Sequence, residues 1–294
     1  MMGLPAGCAD FRFATRARLP RNFTSMKTIV YQSFRTERVP AWIVACMATV
    51  KAWALAQGFD YRFYDDAFLA RAPDWFRAKA QHAICPVTDL ARLVVAKELL
   101  AEGWQRTVWV DADMLVFDAQ ALQIPVESGF ALCHELWLHA DAAAPGSAVS
   151  ARRVIHRVNN SVAVFCAGSL HLDFFIDACV RIARQREVVG KLDVGTNFFS
   201  PLRQILPFPL LGNVGLLSPA LMAEIVSGQP VAVAEYVRAL PGPLAAVNLC
   251  GSLQGQRVQG VMAQERLFEQ VVERLLAGRG AALNGLRSGV HPRE

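Results

Sequence analysis

The chain has 294 residues, 53% of them hydrophobic, and a formal net charge of +5. That length and apolar content can build one or two cores, while the lack of a basic block or an aromatic–basic alternation argues against nucleic-acid binding. No apolar run of about 18 residues is free of charge, which excludes a hydrophobic membrane span. The seven cysteines are odd in number and lack a C-x-x-C pair, as expected of reduced thiols in a cytoplasmic protein.

Residues 1–25 set Arg12, Arg16, Arg18 and Arg21 against a single acid, Asp10. We read them as an upstream extension ahead of Met26, the other reading being an Arg-rich transit peptide, and place the folded domain at residues 26–277. TIVYQSF from Thr28 to Phe34 reads as a strand, Trp42 to Gln57 as a helix stopped by Gly58, and Tyr61 to Tyr64 as a second strand followed by Asp65 and Asp66. This β-α-β opening predicts a parallel pair with a right-handed crossover. Residues 67–83 form a helical or irregular connection around Pro73. Beyond Pro86, Thr88 or Asp89 can cap a helix from Leu90 to Glu102, apolar on most of its circumference and ended by Gly103. Asp89 and Arg92 share a face near its electropositive end.

The stretch from Thr107 to Phe117, TVWVDADMLVF, organises the chain. Thr107, Val108, Trp109 and Val110 predict a buried strand that stops at Asp111. In an extended chain Asp111 and Asp113 share a face about 6.5 Å apart, so at an effective dielectric near 20 they repel by roughly 2.5 kcal/mol. A hard divalent cation such as Mg²⁺ or Mn²⁺ relieves that repulsion and can also hold a diphosphate; the plainer reading is two solvated acids closing a strand.

Phe130 to Cys133 predicts a strand continuing into His134 and Glu135. The segment between His139 and Arg157 contains AAAPGSA and turns basic at Arg152, Arg153, His156 and Arg157. It reads as a solvated connection or as a flap over an anion. Asn159 and Asn160 lead into a strand at Val162–Phe165, and Leu170 to Arg186 forms an amphipathic helix. KLDVGTNFFSP, from Lys191 to Pro201, carries Asp193 and Asn197 beside a glycine. Helices are expected near Pro219–Val226 and Val261–Leu276, with a loosely ordered tail from Gly278. The alternation predicts an α/β doubly wound, mostly parallel sheet flanked by helices, with ligands beyond the carboxyl ends of its strands.

TDLARL at 88–93, VWVDADMLV at 108–116 and VNNSVAVF at 158–165, in this order and spacing, resemble GT-A glycosyltransferases, especially families 8 and 32. The resemblance spans roughly Thr28 to Leu202. It implies a Rossmann-like GT-A domain, a nucleotide-diphosphate sugar donor (UDP first, GDP behind it), Mn²⁺ or Mg²⁺, and transfer with retention. The acceptor is left open among a glycan, a lipid-linked sugar, a protein side chain and a small metabolite. Carried over by position, Asp111 and Asp113 hold the metal, with Ala112 between them. Thr88, Asp89 and Arg92 meet donor sugar and phosphate. Gln32 and Ser33, and Tyr64 and Asp65, fall where the first two strands meet the nucleotide. Asn160, a candidate catalytic residue, and Ser161 match the start of a segment near the sugar, with Val162 where the family has glycine. Asp193, the other candidate catalytic residue, and Asn197 contact donor sugar and acceptor. Where these families place a metal-binding histidine this chain has Asn248, with His291 the other candidate ligand.

Each residue also has a purely structural role to play: Asp89 and Arg92 as cap and ion-pair partner, Asn160, Gly195 and Asn197 as turn formers, and Trp42, Trp53, Trp104 and Trp109 as core. Rival functions are a non-catalytic sugar-nucleotide or glycan-binding protein on the same fold, a haloacid-dehalogenase-type phosphohydrolase, and a nucleotidyltransferase. The phosphohydrolase lacks paired acids after Asp113, and SFRTERVP lacks the glycines a nucleotidyltransferase uses.

Overall fold

The computed structural model describes residues 26–81, 83–140 and 152–287. In chain order the elements are β1 (Thr28–Ser33), α1 (Ala41–Ala56), β2 (Asp60–Tyr64), a 3₁₀ turn at Asp66–Arg71, α2 (Asp74–Ala80), α3 (Ile84–Ala101), β3 (Arg106–Val110), β4 (Met114–Val116), β5 (Phe130–Ala140), β6 (Arg152–Cys166), α4 (His171–Gln185) and α5 (Thr196–Ile205). There follow β7 (Leu210–Leu211), β8 (Val214–Leu216), α6 (Pro219–Ser227), α7 (Val231–Ala239), β9 (Ala246–Asn248), a 3₁₀ turn at Gly251–Leu253, β10 (Arg257–Val258), β11 (Val261–Met262), α8 (Glu265–Ala277) and α9 (Ala281–Asn284).

β3 is the spine of a six-stranded sheet in the order β2-β1-β3-β6-β5-β7. All five of its residues are buried, as a strand covered on both faces requires. β1 pairs in parallel with both β2 and β3, as the β-α-β reading predicts, whereas β6 runs antiparallel to β3 and to β5, and β7 is parallel to β5. Alternation along β3 sorts its side chains into two cores. Trp109 joins Tyr31, Phe68, Leu90 and Phe165 under α3 and α4, while Val108 and Val110 join Val30, Trp53 and Val164 under α1. A third cluster, centred on Leu115, Tyr236, Val247 and Phe268, lies between α6, α7, α8 and a second small sheet, β4-β9-β8.

Several elements differ from expectation. α3 begins at Ile84, four residues before Thr88, because Pro86 sits in the first turn, where its missing N–H has no intrahelical partner to lose. Thr88 is therefore no cap; its hydroxyl donates back to the Ile84 carbonyl at 3.2 Å. β6 starts at Arg152, so the basic run belongs to a long strand paired with β5 and not to a loop. The AAAPGSA segment, like residues 1–25 and His291, lies outside the described residues. From Gly278 to Arg287 the chain is packed: Leu283 is fully buried, and the Arg287 guanidinium donates to the carbonyls of Val237, Leu240 and Gly242. No helix among the described residues is long and apolar enough to cross a membrane.

The packed end of the chain predicts a stability effect. Leu283→Ala is expected to lower the unfolding free energy by about 2–5 kcal/mol, the usual cost of emptying a buried leucine site. Urea denaturation measures it, and a loss below about 0.5 kcal/mol would show that the packing contributes nothing.

Candidate functional site

β3 ends at Val110 and the chain turns at once. The Met114 amide donates to the Asp111 carbonyl at 3.1 Å, so Asp111–Met114 is a β-turn linking the large sheet to β4. The extended D-x-D expected from the sequence is thus a turn, and what brings its acids together is not the pleat of a strand. The Asp111 amide donates to the Ser161 carbonyl on β6 at 2.8 Å, and the Asp111 carbonyl accepts from Gln32 Nε2 at 3.1 Å. Across the small sheet Asn248 lies opposite Met114. Its Nδ2 donates to Asp113 Oδ1 at 2.8 Å and lies 3.5 Å from Asp111 Oδ2, so both carboxylates converge on one amide.

Arg92, 4% exposed, holds the other side of Asp111. Its guanidinium is 3.2 Å from Asp111 Oδ1 and 3.1 Å from Asp89 Oδ1, and it donates to the carbonyls of Thr88 and Asn160. Asn160 Nδ2 closes the ring on Asp89 Oδ1 at 2.9 Å, and Trp109 Nε1 donates to Asp111 Oδ1 at 2.6 Å. Tyr31 fixes the backbone beneath, its hydroxyl bonding the Arg92 carbonyl at 2.7 Å. Three acids face one cation; Asp89 is buried, and Asp111 and Asp113 are partly exposed to the cleft. Burial pushes the Asp89 carboxyl up to about 6, although Arg92 and Asn160 oppose the shift. Burial and then the neighbouring Asp111 push Asp113 up to about 7, against the Gly251 and Asn248 donors. Burial also raises Asp111, while Arg92 and Trp109 pull it back.

These acids line a cleft of about 870 Å³ beyond the carboxyl ends of β1 and β3. Of the donor-site candidates from the sequence, Ser33, Thr88, Asp89, Arg92, Asp111, Ala112, Asp113, Asn160 and Asn248 line it, as do Trp42 and Trp109, expected only as core. The others stand behind it. Gln32 is fully buried, joining the Asp111 carbonyl to the Tyr61 hydroxyl. Tyr64 packs its ring against Tyr31 and Phe68, and Asp65 caps the 3₁₀ turn by accepting from the Ala67 amide at 2.9 Å, while the next residue, Asp66, does line the cleft. Asp193 accepts from the Gly190 amide at 2.9 Å and lies 3.8 Å from Arg186, which shapes its own turn. Asn197 is exposed and accepts from Arg157.

Glu135 is a cleft acid that no motif marks. It is 5% exposed and faces Arg157 across the β5–β6 pairing. Its oxygens accept from Trp137 Nε1 at 2.9 Å, Asn159 Nδ2 at 2.7 Å and Thr196 Oγ1 at 3.2 Å, with Arg157 at 3.7 Å. The alternation of Glu135, Trp137 and Asn159, Arg157 on adjoining strands was the available signal, hidden because β6 reads as a loop. Two glycines are fixed by close approach. A Cβ on Gly195 would lie 2.6 Å from Asp89 Oδ2, and one on Gly251, 2.9 Å from Trp42 and 3.2 Å from Asp113 Oδ2.

The acid pair suits a hard divalent ion, which takes one or two carboxylates and completes its shell with phosphate and water. Asp111 Oδ2 and Asp113 Oδ1 converge as such ligands must. Asn248 does not fit as the third ligand. Its Oδ1 accepts from the Cys250 amide at 2.8 Å, and turning the carboxamide over would set NH₂ against that N–H and oxygen against two carboxylates. It holds the two acids together. No group of three or more His, Cys, Asp or Glu among the described residues forms a metal cluster.

No protein-family model matches the chain, and no curated protein matches it. Similar solved structures include a glycosyltransferase involved in the glycosylation of the major capsid of PBCV-1, 11% identical over 76% of this chain and 95% of that one, with a TM-score of 0.42. Mouse xyloside xylosyltransferase 1 in its apo form is 10% identical over 77% of this chain and 98% of its own, with a TM-score of 0.39. PaToxG glycosyltransferase is 11% identical over 86% and 87%, with a TM-score of 0.35. At such values the chain's function has to be read from its own residues.

The raised carboxyl of Asp113 predicts a pH dependence. In the unfolded chain an aspartate loses its proton near pH 4, and in the folded, metal-free protein Asp113 keeps it to about 7. The folded state then binds more protons between those values, so its stability falls as pH rises from about 4 to about 7. Melting temperatures in chelator should show that decline, and Asp113→Asn should flatten it relative to the wild type. An unchanged slope in the variant would place the titrating group elsewhere.

Proposed function

We propose that the cleft is the donor site of a glycosyltransferase that moves a sugar from a nucleoside-diphosphate sugar, UDP-linked by first choice, to an acceptor hydroxyl. The observation that carries this reading is the convergence of Asp111 and Asp113 at the carboxyl end of the central strand, in a cleft large enough for a nucleotide sugar. Asp111 and Asp113 would hold Mn²⁺ or Mg²⁺, which when bound stabilises negative charge developing on the departing diphosphate.

In the transfer the bond between the anomeric carbon and the diphosphate oxygen breaks, its electron pair leaving with that oxygen. The acceptor oxygen bonds to the anomeric carbon and gives up its proton, so the products are a glycoside, a nucleoside diphosphate and a proton. Each part of the cleft has a role in this. Ser33 and Asp66 lie at the nucleoside end, beyond β1 and β2. Asp89 and Asn160 form the wall facing the sugar, Asp89 accepting sugar hydroxyls while Arg92 keeps its carboxylate oriented. Glu135, held by three neutral donors and Arg157, sits in the same cleft as a fixed negative group, suited to a sugar that gains oxocarbenium character. Asp193 and Asn197 contribute through the turn and the arginine they hold rather than by contact. Retention of configuration follows from the family resemblance, and the anomeric proton signal of the product tests it.

Two outcomes are expected. A nucleoside diphosphate at 100 times its Kd, with Mn²⁺, should stabilise the protein by about 2.7 kcal/mol, a melting shift of about 4–5 °C that Asp111→Asn/Asp113→Asn abolishes. Asn248→Ala should weaken that metal-dependent response by about 10–100-fold in cation concentration, as losses of ligand-orienting groups do. If no nucleoside diphosphate shifts the wild type, with or without metal, the donor reading falls.

A further inference from the structure

The charges lining the cleft do not balance a diphosphate. Among the described residues its wall carries five carboxylates (Asp66, Asp89, Asp111, Asp113 and Glu135) and four cations (Arg35, Arg92, Arg157 and Lys191). Two of the cations are already committed: Arg92 lies between Asp89 and Asp111, and Arg157 is bonded to Asn197 beside Glu135. Arg35 and Lys191 make no ion pair among the described residues. Arg35 belongs to the segment after β1, its guanidinium donating to the Arg38 carbonyl, at the same end as Ser33.

Lys191 lies elsewhere. It begins the turn that Asp193 shapes, and its ammonium donates to the Ser252 carbonyl at 3.1 Å. Ser252 follows Gly251, whose amide donates to Asp113 Oδ2 at 2.7 Å. The lysine thus reaches from the 190–195 turn to the 250–253 turn, bringing a positive charge to the turn whose Gly251 amide bonds Asp113. Its field also acts on the thiols of Cys85, in the first turn of α3, and Cys250, beside Asn248. A carbonyl oxygen is a weak partner for an ammonium that has three donors to place, so at least one N–H remains for a ligand.

We propose that Lys191 is the side chain that binds the diphosphate of the donor, supplying from the 190–195 turn the charge that Arg92 and Arg157 have spent on the protein's own acids. This rests on the donor reading above and adds to it a residue that neither the D-x-D nor the flanking motifs mark. The same contact has a conformational side. An ammonium shared between Ser252 O and a phosphate ties both turns to the ligand, so binding through Lys191 draws the two edges of the cleft to one molecule.

The test is calorimetric titration of UDP and GDP, and of uridine and guanosine as probes without phosphate, into the full-length wild type, Lys191→Ala, Lys191→Gln and Lys191→Arg, all with Mg²⁺ present. For whichever diphosphate binds, Ala and Gln are expected to raise Kd about tenfold or more and Arg about threefold or less, with nucleoside Kd unchanged within about twofold, as loss of one charge-assisted contact requires. The dependence of log Kd on log salt concentration should also become shallower in the Ala and Gln variants. A diphosphate Kd within about twofold of wild type in both variants overturns the proposal and leaves the donor reading intact. An equal loss for nucleoside and diphosphate also overturns it, because Lys191 then shapes the cleft without meeting the phosphates. A wild type that binds neither diphosphate removes both readings.

Discussion

One guanidinium holds this site together. Arg92 is buried on α3 and contacts Asp89 one turn earlier, Asp111 at the end of β3, and the Asn160 carbonyl on β6. An arginine has five N–H donors in a fixed plane, so one side chain can fix three elements at defined angles where a lysine would offer only a point charge. Its stacking over Trp109, with the guanidinium carbon 4.9 Å from the ring, seals the arrangement from below. Burying such ions is costly, and the compensation here is incomplete: two acids share one base, and a third, Asp113, stands beside Asp111 with only the Asn248 and Gly251 donors. The uncompensated remainder shows in the carboxyls, which hold their protons to higher pH than free aspartates do. A site with unmet negative charge beside an open cleft is one that a cation-bearing ligand can complete.

Much of the scaffold is legible in the sequence because it is written in short range. β1, α1 and β2 follow the expected strand, helix and strand within a residue or two, since TIVYQS and the Gly58 stop are local signals. α4 is recognisable from its apolar stripe alone. What local signals miss is pairing between distant segments. The small sheet joins strands of three residues drawn from 114–116, 214–216 and 246–248, too short to show a period. The arginines of β6 look like a solvated loop because their partner strand, not their own composition, makes them a strand. The start of α3 is misplaced for a different reason: Pro86 reads as a boundary, yet in a first turn it is harmless.

The site divides in the same way. Asp89, Arg92, Asp111, Asp113 and Asn160 are each visible as members of a spaced motif, and the structure gathers all five into one cleft. Gln32, Tyr64, Asp65, Asp193 and Asn197 are carried over by position from the resemblance, and sequence position alone does not tell a residue that faces a cleft from one that supports its wall. Asn248 shows the limit most clearly. Its type and place suggested an oxygen ligand, but which end of a carboxamide faces the acids is decided by the Cys250 amide two residues on, a contact no spacing reveals. Glu135 escapes the motifs because what marks it is the residue it stands opposite, Arg157.

The turn from Asp111 to Met114 belongs to both sheets, and Asp113 bonds Asn248 and Gly251 at the edge of the smaller one. The small sheet packs on α6, α7 and α8, and that turn is what joins it to the large one. The acid pair therefore serves the architecture as well as any chemistry. Yet a carboxyl pushed up to about 7 is one whose charge costs stability near neutral pH, so a descendant that had lost its ligand would fold better with asparagine in place of Asp113. Among relatives, the persistence of both aspartates would then record a retained ligand rather than common descent alone.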